Sequence, residues 1–403
     1  MAKYVLMNRN QEAARLELNT DLETGYITAF EVLDAHRLPF PVQYCEEGIS
    51  AQVLEGWFAR RMLSAHRNNL GQLLKKTKMN RLQSSLLSYG LTLTDGFWLK
   101  PEGDRSLTWD QVNFFENEFS YDIGNMIFGF DVRQPNFMTP DLTTNGKMEK
   151  TWRRRNGKLW LLKKGSPPYF EEPFNERIVT EILKKIAKVP FVSYEVNFVR
   201  RHAVSVCENF AKEDIQFVSA ADLIKTSPRP SFIPMDIHLR NRCQYFKIPG
   251  YKPFFDQLKI LDYLIGNQDR HLGNYGFLYD ADQERFLGPA PIFDNGSSLW
   301  CQEPDEKLYE PINLARQGAK RTLEMVRKPG EFSLTKEDVL WTKELVSLVY
   351  AEYGLYNERA QKIEAMLSQR AQVMSQYLER EIEQREFQSH KHFRPEHDRQ
   401  LTF

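Results

Sequence analysis

The sequence predicts an α+β chain of two lobes, a β-rich half followed by a mainly helical half, and three observations carry that expectation. Its 403 residues exceed what one hydrophobic core usually organises. Between about residues 140 and 207, Asn-Gly turns separate short apolar runs, the signature of strand–turn–strand units. From about residue 211 onward, apolar residues recur at helical spacing. The expected divisions are a β-rich and helical subdomain over 1–100, a β-rich lobe over 101–210, a helical lobe over 211–385 and a polar tail over 386–403.

In the first fifty residues, Tyr4–Met7 and Tyr26–Phe30 alternate with turn residues such as Asp21 and Gly25, which reads as a small β unit. From Ser50 to about Ser88 the pattern turns helical, with Val53, Leu54, Trp57, Phe58 and Met62 on one stripe and Leu70, Leu73 and Leu74 on another. The basic residues Arg60, Arg61, Lys75, Lys76 and Lys78 allow a helix-turn-helix, but a solvated helix face is the favoured reading for a neutral chain. Thr108 is an N-cap for a short helix running toward Phe119. A first turn at Asn145-Gly146 leads up to Trp152, and a second at Asn156-Gly157 leads into Lys158–Lys163. Pro173 opens a helix to about Lys188, and 196–199 and 203–207 form two strands around Arg200-Arg201-His202. Leu345, Leu348 and Val349, then Ile363, Met366, Leu367, Val373 and Tyr377, mark two C-terminal amphipathic helices before a loosely ordered tail from Glu386.

Composition narrows the function classes. Lys+Arg 54 against Asp+Glu 54 gives no net charge, so direct nucleic-acid binding is not expected. Cys45, Cys207, Cys243 and Cys301 lack Cys-x-x-Cys spacing and read as free thiols in a reducing compartment. With no signal-like start and no membrane-length apolar run, a cytoplasmic location is expected and membrane association is not.

The chemistry concentrates in Asp269-Arg270-His271-Leu272-Gly273-Asn274 and Phe293-Asp294-Asn295-Gly296. A helical pattern over Lys259–Ile265 stops at Gly266, which puts Asp269 in a loop; Tyr275–Tyr279 and Pro291–Phe293 read as short strands on either side of an Asp/Gly-rich turn. An Asp, an Asn five positions on and a second Asp after a hairpin suit phosphoryl transfer from Mg-ATP. The first Asp accepts the proton of the attacking hydroxyl, while Asn274 and Asp294 hold Mg²⁺ against the phosphates. The bland alternative is a polar loop whose acids are merely solvated.

A nucleotide site needs four further parts, and each has a candidate in chain order. Thr144-Asn145-Gly146-Lys147 is a turn whose backbone can approach phosphates. Lys163 or Lys164 ends a strand, and only one of them can face the cleft. Glu176, or alternatively Glu181, lies on the following helix to orient that lysine, and Val206–Phe210 ends the last strand as an adenine-reading hinge. Taken singly, these are also an ordinary hairpin, a solvated strand end and an early-turn acid favoured by the helix dipole.

Together they make the chain resemble the HipA-type serine/threonine kinases over about residues 140–380, which implies a bilobal protein-kinase-like fold. That family's phosphate loop, Ser-x-x-Gly-x-Gln-x-Lys, resembles Thr143–Lys150. Its strand lysine with a later Asn-Glu pair resembles Lys163 and Asn175-Glu176, and its Glu-x-Phe hinge matches Glu208-Asn209-Phe210. Its Asp-x-His-x-x-Asn loop matches Asp269, His271 and Asn274, and its metal Asp follows an aromatic as Asp294 follows Phe293. The chain departs where Lys147 and Met148 replace a small residue and Gln, and where Thr143 stands for the loop serine that is a site of inhibitory autophosphorylation.

The resemblance implies an ATP- and Mg²⁺-dependent transfer to a protein Ser or Thr hydroxyl. Asp269 would be the catalytic residue. Asn145, Gly146, Lys147, Lys150, Lys163, Glu176, Glu208, Phe210 and His271 would bind the nucleotide, and Asn274 and Asp294 the nucleotide's metal. His271 reads equally as a structural loop residue, and Thr143 equally as an ordinary β-former. A toxin-like role with an antitoxin-type partner stays open. So do two rivals: a lipid or small-molecule kinase of the phosphoinositide-kinase type, and a non-catalytic nucleotide-binding regulator.

Overall fold

The computed structural model describes residues 1–64, 78–309 and 335–392, the side chains of 309 and 377–392 excepted. The second apolar stripe at Leu70, Leu73 and Leu74, together with Lys75, Lys76 and the side chain of Tyr377, lies outside the described residues. The chain divides into two compact units. One comprises Met1–Arg177, Pro190–Tyr251 and Arg270–Gly296, and the other Ile178–Val189, Lys252–Asp269 and Ser297–Phe403. Among the described residues no helix is long and apolar enough to cross a membrane.

Among the described residues the first unit holds three antiparallel sheets. Strands β1 (Ala2–Asn8), β2 (Gln11–Leu18), β3 (Ile27–Val32) and β4 (Phe97–Pro101) form the first, in the order β3-β2-β1-β4. Side-chain alternation splits β1 between two cores. Leu6 joins Leu16, Leu54 and Trp57 under the helix Ala51–Phe58. Val5 and Met7 join Trp98 and Trp109 with Trp152 and Leu159 from the next sheet. Ser50 caps the helix Ala51–Phe58 through Val53 N–H. Thr108 caps a helix that is only Trp109–Val112, shorter than the apolar stripe toward Phe119 suggests, because Asn113 turns to extended backbone.

The second sheet, in the order β5-β6-β8-β7, contains β5 (Lys150–Arg155), β6 (Lys158–Lys164), β7 (Tyr194–Val199) and β8 (His202–Glu208). Asn156 and Gly157, both at positive φ, give the β5–β6 turn the backbone twist that two-residue hairpins need. The register sets Lys150 directly opposite Lys163. The helix Glu172–Ile186 follows β6, and its first residues, to Arg177, belong to this unit.

The third sheet revises the sequence reading. Strands β9 (Ile215–Ser219), β10 (Gly276–Asp280) and β11 (Arg285–Pro289) pair in the order β11-β10-β9, so the described residues after 211 include three strands. The partner of β10 is β11 and not 291–293. Asp280 Oδ1 accepts from Asp282 and Gln283 N–H to close the turn, and Ile292 makes only an isolated bridge to Phe191. Gly276 lets β10 and β9 meet, since a Cβ there would lie 2.3 Å from Val218 O.

In the second unit, the helix that starts at Tyr251 ends at Ile265, where Gly266 adopts positive φ. Leu299 N–H returns to Ile265 O at 2.8 Å. Helices Lys336–Glu352 and Glu358–His392 bury Leu345, Val349, Ile363 and Leu367, whereas Leu348 is exposed because it falls off the buried stripe. The last helix continues through residues 386–392, a stretch whose polarity reads as tail but which extends an existing helix without a fresh nucleation cost. Arg370 Nη1 donates to Tyr263 O at 2.5 Å, and Arg359 Nη2 to Trp300 O at 3.1 Å.

Candidate active site

The end of β6 decides which lysine faces inward. Lys163 and Lys164 alternate across the pleat. Lys163, with 4% of its side chain exposed, pairs with Glu176 Oε1 and, at 2.8 Å, with Asp294 Oδ1. Lys164 instead pairs with Glu149 at 2.8 Å. Glu176 is in turn held by Asn295 N–H, which donates to its Oε2 at 3.0 Å, while Glu181 pairs with Lys184. Lys163 Nζ also lies 4.7 Å from the centre of the Tyr194 ring, and Tyr194 Oη accepts from Asp294 N–H at 3.2 Å.

Electrostatics follow from this packing. Burial raises the Asp294 carboxyl, but the Lys163 and Lys150 ammoniums and the Arg270 guanidinium outweigh it and hold the group well below its ordinary value. Burial disfavours the Lys163 cation, but Asp294 and Glu176 hold its pKa well above the lysine range. Burial dominates at Glu176 and raises it despite Lys163. The neighbouring Cys207 thiol is pushed up to about 12, chiefly by burial, which keeps it protonated and inert.

The loop before β10 is tied to this cluster through Arg270. Its Nη1 donates to Phe293 O at 2.7 Å and to Asn274 O at 3.2 Å, and its Nη2 donates to Asn295 Oδ1. Asn274 is buried, and its N–H donates to His271 O at 2.9 Å. His271 is exposed, and its Nδ1 accepts from Gly273 N–H. Asn175 Nδ2 donates to Gly296 O at 3.0 Å. Arg270, Asn295 and Tyr194 were not singled out in the sequence. Arg270 and Asn295 flank proposed catalytic positions in the chain, which was a usable signal, whereas Tyr194 is brought in only by the β7–β8 pairing.

Asp269 is exposed at the end of the second unit's Lys252–Asp269 stretch, and its N–H donates to Asn267 Oδ1 at 2.9 Å. Lys163, Asp294, Lys150, Asn145, Glu208 and Phe210 line one cavity of about 240 Å³ in the first unit. Lys147 is exposed and not among its lining residues. Glu208, at the far end, pairs with Lys158 at 2.8 Å. Gly146, at positive φ, leaves room for Lys150, whose Nζ would stand 2.3 Å from a Cβ there. Thr143 is buried, its Oγ1 donating to Leu91 O and to Pro140 O. Among the described residues no group of three His, Cys, Asp or Glu side chains forms a metal centre. Asp294, held ionised in the cavity wall, offers a hard oxygen donor that suits a cation taking most of its ligands from phosphate and water, whereas Asn274 is not among the cavity's lining residues.

No protein-family model matches the chain. Over 108 residues it is 33% identical to the serine/threonine-protein kinase CtkA of Helicobacter pylori, a match covering 25% of this chain and 33% of that kinase. The chain thus spans about a third of that relative's length. The crystal structure of the H. pylori proinflammatory kinase CtkA aligns with a TM-score of 0.41 and 18% identity, over 57% of this chain and 94% of that one. A chain of the Shewanella oneidensis MR-1 toxin–antitoxin complex of HipA, HipB and operator DNA aligns with a TM-score of 0.52 and 12% identity, over 94% of this chain and 97% of that one. In sequence over part of its length and in fold over nearly all of it, this chain resembles the HipA-like serine/threonine kinases.

Proposed function

We propose that this protein transfers the γ-phosphoryl group of ATP to a Ser or Thr hydroxyl of another protein. The observation that carries this reading is the buried Lys163–Glu176–Asp294 cluster, which opens on a cavity also lined by Lys150 and Asn145. A buried lysine held between two carboxylates is costly to desolvate, and a polyphosphate ligand gives that cost a purpose. In this reading Glu176 orients Lys163, which neutralises charge on the phosphates. The Asn145-Gly146 turn lies against the phosphate chain, its Gly146 N–H turning to a phosphate oxygen from Asn145 Oδ1, to which it donates at 2.7 Å, and the Glu208–Phe210 strand end receives the base. Asn274 and Asp294 would hold the Mg²⁺ that supplies charge stabilisation at the phosphates when bound. Asp269, by its place in the loop sequence, takes the proton of the acceptor hydroxyl. The likeness to a named serine/threonine kinase supports a protein acceptor over a lipid headgroup. The complex in which the Shewanella protein was solved supports looking for a regulatory protein partner of the antitoxin type.

The test is incubation with labelled ATP, Mg²⁺ and a cytosolic lysate, followed by phosphopeptide mapping. Ser or Thr phosphorylation is expected in the wild type and not in Asp269→Asn. Equal labelling by both proteins, or label appearing only on lipid, would overturn the reading.

A further inference from the structure

The first hundred residues also reach the nucleotide cavity. Arg60, Thr92, Leu93 and Thr94 line it together with the phosphate-loop and hinge residues. This wall is tied down: Asn209 Nδ2 donates to Leu93 O at 3.1 Å, and Phe217 N–H to Thr94 O at 3.4 Å. Arg60 is the cation in this wall whose partner is replaceable. Its neighbour Arg61 is locked, with Asp95 at 2.5 Å and the carbonyls of Gly90 and Phe97. Arg60 keeps 27% of its side chain exposed; its Nη1 donates to Gly56 O at 2.8 Å and its Nη2 pairs with Asp222, the partner a phosphate could replace. Asp222 belongs to the helix Ala220–Ile224, whose Ala220 and Ala221 N–H groups donate to Tyr275 O and Leu272 O at 2.9 and 3.0 Å. The helix that carries Asp222 is thus bonded to the Arg270–Asn274 loop, whose Gly273 lines the same cavity as Arg60.

We infer that Arg60 is a phosphate-binding residue of this site, supplied by the N-terminal region, and that it exchanges Asp222 for the phosphate chain when a nucleoside triphosphate enters. The inference rests on the function proposed above. A guanidinium offers phosphate a planar, bidentate set of donors that the two cavity lysines cannot. It also gives the N-terminal region a direct part in recognising the triphosphate rather than the base.

The experiment compares Mg-ATP and adenosine binding by calorimetry in the full-length wild type, Arg60→Ala and Asp222→Asn. Arg60→Ala should weaken ATP by about tenfold or more, the scale of one lost charge-assisted contact, and leave adenosine binding unchanged. Asp222→Asn frees the guanidinium and should leave ATP binding unchanged or tighter. If both variants weaken ATP equally, Arg60 is only a brace for the helix Ala220–Ile224, and the inference is wrong. It is equally wrong if Arg60→Ala binds ATP like the wild type. A wild type that binds no ATP at all would remove the kinase reading itself, an outcome separate from either of these.

Discussion

The first unit contains two four-stranded antiparallel sheets of similar size that treat charge in opposite ways. The sheet β3-β2-β1-β4 packs apolar side chains on both faces and leaves its ion pairs, Lys3–Glu17 and Arg15–Glu31, in solvent. The sheet β5-β6-β8-β7 sets two buried lysines opposite one another, Lys150 and Lys163. Directly opposed like charges destabilise a strand pair, and here carboxylates offset them. An apolar core of the same shape is as stable or more so than a buried ion cluster. The first sheet shows what this chain builds to hold the fold, and the second carries buried charge that the fold does not need and that the proposed phosphate ligand would use.

The comparison breaks most sharply at Asp294. Asp294→Ala should lower phosphotransfer by about 10³-fold or more, with the fold retained by circular dichroism. Near wild-type labelling would mean that Asp294 holds no metal. Leu6→Ala in the first sheet should do the converse, costing about 2–5 kcal/mol of stability in urea melts while transfer per folded molecule stays unchanged. A loss of specific activity in that variant would show that the two sheets are not separable in function. At the next scale down, Lys163→Ala strands the buried Glu176 carboxylate and the half-buried Asp294 carboxylate and should cost about 3 kcal/mol along with ATP affinity. Lys164→Ala should cost only about 1 kcal/mol, and the reverse order would put the strand's facing in error.

A smaller effect is expected from pH. The folded pKa of Asp294 lies below its ordinary value of 3.8. Its contribution is therefore present above that value and is lost as pH falls through the depressed one. Lys163, raised above 10.5, contributes fully below that pH and loses its contribution as pH rises through the raised value. Glu176, raised by burial, acts oppositely, its ionisation lowering stability as pH climbs through its titration. Urea melts of Asp294→Asn should therefore show a shallower acid limb below about pH 4 than the wild type; identical limbs would mean that Asp294 is not held ionised by the lysines. The least change is expected at Thr143. With its hydroxyl buried against Leu91 O, incubation with Mg-ATP should leave it unphosphorylated by mass spectrometry. A phosphate that appears there and is absent from Asp269→Asn would show that the loop opens.

Much of this was legible in the chain because it is local. Gly266 ends a helix and Asn156-Gly157 turns a hairpin, both read from adjacent residues, while the spacing of Asp269, Asn274 and Asp294 points to the phosphoryl chemistry proposed above. The choices left open, Lys163 against Lys164 and Glu176 against Glu181, depended on which way a strand and a helix face, and packing decides that. The strand β9 went unread because Ile215–Ser219 is short and pairs only with a segment far along the chain. The β10 partner was misplaced because Pro291-Ile292-Phe293 is the more apolar run, while Arg285–Pro289 takes its register from the Asp280 turn. Tyr194 and the Thr92–Thr94 wall carry no sequence signal, and Arg60 shows only as one of several basic residues, since their place around the cavity arises from long-range contact.

The left-handed backbone at Asp294, with φ of 58°, bears on how this gene can drift. Asp and Asn tolerate that conformation, whereas β-branched and bulky residues do not. Codons for Asp and Asn differ by one base, so a single transition would remove the carboxylate that the proposed chemistry uses while leaving the backbone at that turn undisturbed. Of the other single-base changes at the codon, those to Tyr, Ala and Val would strain the turn as well as remove the carboxylate, whereas Gly would fit the backbone and Glu would keep an acid. A lineage that lost the reaction yet kept the protein for another use would be expected to carry Asn at this position.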